Sequence, residues 1–354
     1  MARQVSHWES AITCARQHRI VPLLYERLTK AGVALPGEIQ DQLRVAYDRN
    51  AFHSLANAAE LVRILRLLEG RGIPAMPFKG VVLASSVYGT LTIRPAGDLD
   101  LLIHAHHLGQ ASSALRESGY ELKTKTRDDG SPAIEDYYEY HFERASDGMV
   151  LELRWRLELT QPRFHHDLGM DWVWPHRRSV KLAGVDVPDI DPERTLLVLC
   201  MHGGKHAWSR LIWVCDVAQF LERRQDLDWK ALKKEARRVG LARALALGVI
   251  LARRVCDADV PDDVLLGFES DRGARDLASY FEEALFDEPG RTPNGHMPYS
   301  LRLLDVRDRI LAMLSPGVLR PNERDRQMIR LPRAFFPLYY LIRPIRILLD
   351  RSPR

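Results

Sequence analysis

The chain is poor in cysteine: its 354 residues include four, Cys14, Cys200, Cys215 and Cys256. None of them forms a C-x-x-C pair and no dense framework links them, which excludes a small disulfide-stapled scaffold. No secretory leader is recognisable, and no apolar run before residue 330 approaches the length of a membrane span. The expected setting is therefore a reducing cytoplasm. A strong overall charge is also missing. Fifty-one Lys and Arg stand against 47 Asp and Glu, a formal +4 that is too mild to imply nucleic acid by itself. The excess is local, because 12 arginines face 5 acids from Arg302 to Arg354, so that end could meet something anionic. Internal repeats and long low-complexity tracts are absent too. What remains is a chain long enough for one large or two ordinary domains.

The most informative residues present are Asp98 and Asp100, at the head of the run Asp98-Leu99-Asp100-Leu101-Leu102-Ile103. In a strand, side chains alternate faces, so the two carboxylates share one face while Leu99, Leu101 and Ile103 enter the core. Aspartates are common at solvated strand ends, and the pair alone is a weak signal. Two adjacent anions are tolerated best with a cation between them. A second alternating run, Val150-Leu151-Glu152-Leu153-Arg154-Trp155, supplies a third carboxylate, Glu152.

Helices are expected ahead of this block. Residues 8 to 30 give helical patches interrupted near His18-Arg19 and ended by Gly32. Pro36 opens another helical run, with Leu55, Leu61, Val62, Leu65 and Leu68 as its apolar stripe up to Gly70. Ile73 to Phe78 then has the composition of a short strand edged by Pro74 and Pro77, and Val81 to Tyr88 that of a short buried helix stopped by Gly89. Residues 73–103 thus spell strand, glycine turn, helix, loop, strand. Gly80 lets the backbone approach a ligand, and the following helix N-terminus offers N–H groups to phosphate oxygens. Lys79 would add a point charge. A lone Lys-Gly pair is weak; its place before the Asp-x-Asp strand gives it weight.

Lys79-Gly80, Tyr88, Arg94, Gly97-Asp98-Leu99-Asp100-Leu101-Leu102 and Glu152-Leu153-Arg154-Trp155 resemble the bacterial uncharacterised nucleotidyltransferase family of the polymerase-β-type superfamily. His202-Gly203-Gly204-Lys205-His206-Ala207-Trp208-Ser209-Arg210-Leu211, with Trp213 and Asp216, is similar to that family's second block, and His18-Arg19-Ile20-Val21-Pro22-Leu23-Leu24-Tyr25 to its N-terminal helices. The resemblance spans roughly residues 8–225. It implies an α+β fold, with a small mixed β-sheet core flanked by helices and a mostly helical C-terminal region. The expected division is 1–70 helical, 71–190 catalytic core and 191–354 helical.

The resemblance also implies a nucleoside triphosphate (NTP) and two Mg²⁺ ions. Asp98 and Asp100 would hold both metals, while Glu152 would ligate one and help deprotonate the attacking hydroxyl. Lys79, Gly80 and Arg94 would bind the nucleotide. Three converging carboxylates suit two ions that clamp the attacking and leaving oxygens of an in-line displacement, and oxygen ligands favour Mg²⁺ over zinc. Two departures stand out. Val81 follows Gly80 where the superfamily has a second small residue, often serine, and Arg154 stands where many relatives have histidine.

His202 and His206 fall at i, i+4 on a helix that Asp191-Pro192 opens. That spacing can hold zinc, but the metalloprotease pattern needs glutamate where Gly203 stands, and no neighbouring residue completes a four-ligand set. The histidines either line a substrate cleft with Lys205 and Arg210 or hydrogen-bond internally. Trp208 and Trp213 read as core or cleft wall. Trp229 to Val239 and Leu241 to Val255 continue as helices, and residues 287–298 form the clearest loop. The apolar stretch Phe335 to Leu349 carries Pro337, Pro344, Arg343 and Arg346. It is too interrupted to span a bilayer; packing on the domain is expected, with peripheral membrane contact as the alternative.

The function expected is transfer of a nucleoside monophosphate (NMP) from an NTP to a hydroxyl or phosphate acceptor with release of pyrophosphate. Two alternatives stay open: an RNA acceptor, as in toxin-like members of the superfamily, and a nucleotide-binding module without turnover. Intact Asp98, Asp100 and Glu152 argue against the second.

Overall fold

A computed structural model describes residues 7–124, 138–157, 168–287, 299–304, 309–310 and 332–340. The described residues fall into two compact units, divided between Arg194 and Thr195.

The first unit opens with helices α1 (Trp8–Gln17) and α2 (Val21–Lys30), separated by Arg19 in a left-handed conformation (φ 56°). Pro36 then starts the 33-residue helix α3 (Gly37–Glu69). Ile12, Ala15, Val21, Ile39 and Leu43 bind the first three helices together. Farther along α3 the buried stripe is Ala58, Leu61, Val62, Ile64 and Leu68, which packs into the main core. Leu55, expected on this stripe, is 54% exposed. Its neighbours Ser54 and Asn57 are buried, so Leu55 falls on the outer face of a helix that is already packed there.

Strand β1 (Ala75–Pro77) follows, then a single helical turn α4 (Gly80–Leu83) that widens into a π-turn over Ala84–Tyr88 and stops at Gly89 (φ 72°). Next come β2 (Asp98–Ile103), α5 (Leu108–Glu117), β3 (Tyr120–Leu122), β4 (Glu139–Arg144) and β5 (Val150–Arg154). They form a five-stranded sheet in the order β1-β2-β5-β4-β3. The β2–β5 pair is parallel and the other pairs are antiparallel. Pro77 is tolerated because β1 is an edge strand.

One face of the sheet is apolar. Leu99, Leu101, Ile103, Leu151, Leu153, Tyr140 and Phe142 join α3 and α5 in the core. The opposite face carries Asp98, Asp100, Glu152, Arg154, Glu139 and His141, because strand partners in register share a face. Antiparallel sheets covered on one side alternate in this way. After α6 (Met170–Val173), strands β6 (Arg178–Leu182) and β7 (Val185–Asp189) make a hairpin. Its two-residue turn, Ala183-Gly184, has both φ angles positive (49° and 82°), which matches the twist of the flanking strands.

The second unit is helical among its described residues: α7 (Pro192–Lys205), α8 (Leu211–Arg223), α9 (Trp229–Arg238), α10 (Ala242–Cys256), α11 (Asp262–Glu269), α12 (Arg272–Asp287) and α13 (Tyr299–Arg302). Asp191 caps α7, as its sequence predicts, by accepting from the Arg194 N–H at 3.2 Å. Every residue from Ala244 to Ala252 on α10 is buried. The loop expected at 287–298 lies almost wholly outside the described residues, as do residues 341–349 of the apolar stretch. In its described part Tyr339 packs inside, whereas Phe335, Phe336, Leu338 and Tyr340 are exposed, so the packing expectation holds for Tyr339 alone. No described helix is long and apolar enough to cross a membrane.

Candidate active site

Parallel pairing of β2 with β5 sets Asp100 directly beside Glu152 and Asp98 beside Val150. One ligand oxygen from each of Asp98, Asp100 and Glu152 lies within 4.8 Å of the others. Among the described residues this is the group of three or more His, Cys, Asp or Glu whose atoms converge in that way.

The turn after β1 closes over the group. The Phe78 N–H donates to the Asp100 carbonyl at 3.3 Å, which carries β1 one residue past its last formal pair. Lys79 then adopts φ 59°, ψ −146°, close to a region that non-glycine residues avoid. Gly80 follows at φ 47°, and a Cβ there would stand 3.4 Å from the Asp98 carbonyl oxygen. The bend turns the Lys79 side chain inward, and its Nζ lies 3.6 Å from Asp100 Oδ1. Arg94 is buried and donates to the carbonyls of Gly80 (3.2 Å) and Pro95 (3.3 Å), so it braces this turn. The helical run that begins at Gly80 is one α-turn continued by the π-turn to Tyr88.

Arg154 and Glu139 complete the site. Arg154 Nε stands 3.3 Å from Asp100 Oδ1, its Nη2 stands 2.8 Å from Glu139 Oε2, and Nη2 also donates to Glu152 Oε2. Sequence reasoning marked Arg154 only as a departure, although strand alternation already puts it on the face of Glu152. Glu139 carried no signal, because β4 lacks the run of apolar residues that announces a strand.

The electrostatics of the three carboxylates differ. Burial, then the neighbouring Asp100 and Glu152, push Asp98 above the usual carboxylate range. Burial also acts on Asp100, but Lys79 and then Arg154 outweigh it and hold this carboxyl below its ordinary value. Glu152 is raised, chiefly by burial, with Arg154 opposing and Asp100 and Glu139 adding to it. Burial lowers Lys79 against the pull of Asp100. Arg154 is raised: burial opposes its charge, but Asp100, Glu139 and Glu152 together outweigh the penalty.

The donor set suits a hard divalent cation. It is all oxygen, two of its three members are disfavoured as bare anions, and Asp100 Oδ1 is buried without a hydrogen bond.

The family model of the uncharacterised nucleotidyltransferases matches residues 4–257. The chain belongs to that family. It is a nucleotidyltransferase with a mixed α+β core, as its motif blocks led one to expect. Several solved structures are similar to part of it. One is ANT(2″)-Ia in complex with adenylyl-2″-tobramycin, at 12% identity and a TM-score of 0.38 over 52% of this chain and 98% of that one. Another is the lincosamide antibiotic adenylyltransferase LnuA with lincomycin bound, at 16% identity and 0.34 over 46% and 94%. A third is an antigenic nucleotidyltransferase-like protein from Paracoccidioides brasiliensis, at 13% identity and 0.34 over 60% and 96%. No curated protein matches the sequence.

Of the residues singled out in this nucleotidyltransferase's sequence, the structure brings together Lys79, Gly80, Arg94, Asp98, Asp100 and Glu152. His202, Lys205, His206 and Arg210 belong to the second unit, at the end of α7 and in the turn beyond it. There the rings of His202 and His206 lie 4.7 Å apart, both against Trp213, and the Arg210 guanidinium stands 5.6 Å from the Trp213 ring centroid. No zinc-type cluster forms around them among the described residues. Trp208 is fully buried, a core residue.

Proposed function

We propose that this nucleotidyltransferase moves an NMP from an NTP to a hydroxyl or phosphate of an acceptor and releases pyrophosphate. The observation that carries the reading is the convergence of Asp98, Asp100 and Glu152 on one face of the sheet within 4.8 Å. Asp98 and Asp100 are the residues to hold two Mg²⁺ ions, with Glu152 as third ligand. When bound, these ions would hold the attacking and leaving oxygens in line and offset the charge on the phosphates.

The chain's own groups divide the remaining work. Gly80 keeps the backbone bare where the triphosphate approaches. Lys79 supplies a positive charge beside Asp100, and Arg94 fixes the turn that carries both, with the phosphates as its further partner. Glu152, whose pKa is raised by burial, is suited to take the proton of the acceptor hydroxyl. His202, Lys205, His206 and Arg210 are the candidates for acceptor contacts. The reading includes a cytoplasmic setting, supported by four cysteines that are all free thiols. Peripheral membrane contact stays the alternative for the C-terminal segment, where Phe335, Phe336, Leu338 and Tyr340 are exposed. Nothing observed favours RNA as the acceptor.

Purified protein incubated with each α-labelled NTP and Mg²⁺, against separate metabolite, protein and RNA pools, tests the reading. Label should pass to one pool with release of pyrophosphate, and Asp98→Asn and Asp100→Asn should abolish the transfer. Transfer that survives in both variants would remove the carboxylates from the chemistry.

A further inference from the structure

Four carboxylates, Asp98, Asp100, Glu152 and Glu139, crowd one face of the sheet, and among the described residues Lys79 and Arg154 are cations that contact three of them. Lys79 contacts Asp100, and Arg154 contacts Asp100, Glu152 and Glu139 together. The register explains how one side chain reaches three. Arg154 is the strand partner of Glu139 on β4, so Glu139 is its neighbour in its own row. To reach Asp100 and Glu152 it leans back one row along β5, since those two pair with each other. The guanidinium is 5.7 Å from the Phe78 ring centroid and 5.6 Å from that of Tyr138. One nitrogen, Nη2, holds Glu139 and Glu152 at once, so Glu139 is a second seat, beside the triad, that the guanidinium can keep when its contacts to the triad are given up.

We propose that Arg154 is a positioning residue that holds the triad as a counter-cation until a metal-bound triphosphate arrives, and then withdraws to Glu139. This rests on the reading of the triad as the metal site. A metal ion arriving alone must displace a guanidinium from two carboxylates and then sit beside it. An ion that arrives with a triphosphate brings the anion that offsets its own charge, so a guanidinium kept on Glu139 can stand beside it. Metal and triphosphate binding are then coupled through Arg154, and the coupling is reciprocal.

The test is titration of the full chain with Mn²⁺, read by the paramagnetic signal of the free ion, with and without a non-hydrolysable α,β-methylene triphosphate. The wild-type protein should bind Mn²⁺ weakly alone and about ten-fold or more tighter with the triphosphate. Arg154→Gln should bind Mn²⁺ alone about ten-fold tighter than wild type and lose a comparable part of the triphosphate enhancement. Arg154→Lys keeps the charge but not the fork, and should fall between the two; it carries the test if the glutamine variant does not fold. Glu139→Gln removes the second seat and should weaken Mn²⁺ binding. Unchanged Mn²⁺ affinity and unchanged enhancement in both Arg154 variants would overturn the proposal. If Mn²⁺ binding also survives Asp100→Asn, the ion binds elsewhere and the metal-site reading falls with it. If Asp100→Asn abolishes binding while the Arg154 variants match wild type, the counter-cation role alone is lost.

Discussion

Asp100 on β2 and Glu152 on β5 are register partners in the parallel pair of an otherwise antiparallel sheet. Partners in register share a face, so two carboxylates 52 positions apart in sequence are held side by side by backbone hydrogen bonds rather than by a loop. The apolar residues between and around them, Leu99, Leu101, Leu151 and Leu153, fix that register, because a slip of one residue would bury the acids and expose the leucines. The same hydrophobic pattern that builds the core therefore aims the site.

Asp98 and Asp100 should respond in opposite directions when made neutral. Asp98 is raised by burial and by two neighbouring acids, so its ionised form is disfavoured in the fold, and the cost appears as pH rises through its raised pKa. Asp98→Asn should stabilise the metal-free protein at neutral pH, with the gain vanishing at acid pH. Asp100 is held low by Lys79 and Arg154 despite its burial, and its contribution is present above the unfolded carboxylate value and lost as pH falls. Asp100→Asn takes the Asp100 contact from Lys79 and one of three carboxylates from Arg154, both buried, and should cost roughly 3–5 kcal/mol. Thermal melts of both variants between pH 4 and pH 8 decide it; equal shifts would mean that the pair is electrostatically symmetric.

Glu152→Gln separates binding from chemistry. Amide oxygen can still ligate, but it cannot accept the acceptor's proton. The variant should bind triphosphate with Mg²⁺ close to normally and lose turnover by about 10²–10⁴. Calorimetric titration and a pyrophosphate-release assay on the same preparation check it. Loss of binding would make Glu152 a ligand first, and normal turnover would remove it from the mechanism.

The legible part of the site was the part that depends on strand alternation near glycine. Asp98, Asp100 and Glu152 each interrupt an apolar run, and Lys79-Gly80 sits at a break between two such runs, so period and punctuation marked these positions while the family resemblance supplied their roles. The helices of the second unit were legible for the same reason, from Asp191-Pro192 at the start of α7 to Gly240 between α9 and α10. Strands β3, β4, β6 and β7 were not. β4, Glu139–Arg144, is polar at four of its six positions and owes its place to pairing with β5, a long-range contact that composition does not carry. With β4 unseen, Glu139 stayed invisible, and Arg154 looked like an isolated oddity rather than the link between two strands.

Lys79 pays in backbone strain for its position beside Asp100. Its φ 59°, ψ −146° should cost about 1–3 kcal/mol relative to a relaxed residue, whereas glycine adopts it freely. Lys79→Ala keeps the strain and loses the cation. Lys79→Gly loses the same cation but relaxes the backbone. The glycine variant should therefore melt higher than the alanine variant, by about 1 kcal/mol or more, while both bind triphosphate more weakly than wild type. Glycine and alanine variants of equal stability would show that the turn changes shape once the side chain is gone.

Gly203 and Trp208 make the sharpest test of packing in the second unit. The chain leaves α7 with Ala207 at φ 50° and Trp208 at φ 47°, and their N–H groups donate to the carbonyls of Gly204 (3.1 Å) and Gly203 (2.9 Å). This is a Schellman-type ending in which Ala207 occupies the place usually held by glycine. It folds the indole back against the helix, where a Cβ on Gly203 would lie 2.4 Å from the ring, and one on Gly248 of α10 would lie 3.1 Å from it and 2.5 Å from Cys200 Sγ. The residue that breaks the zinc-protease pattern is thus a glycine because tryptophan fills its space. Gly203→Ala should destabilise by about 1–3 kcal/mol through overpacking, and Trp208→Ala by about 3–5 kcal/mol through the cavity it leaves. In the double variant the clash is gone, so the two costs should fall well short of adding. Ala207→Gly should raise stability by up to about 1 kcal/mol, because only the strain changes. Chemical denaturation of the four variants reads all of these, and strict additivity between positions 203 and 208 would mean that the ring does not rest on the glycine.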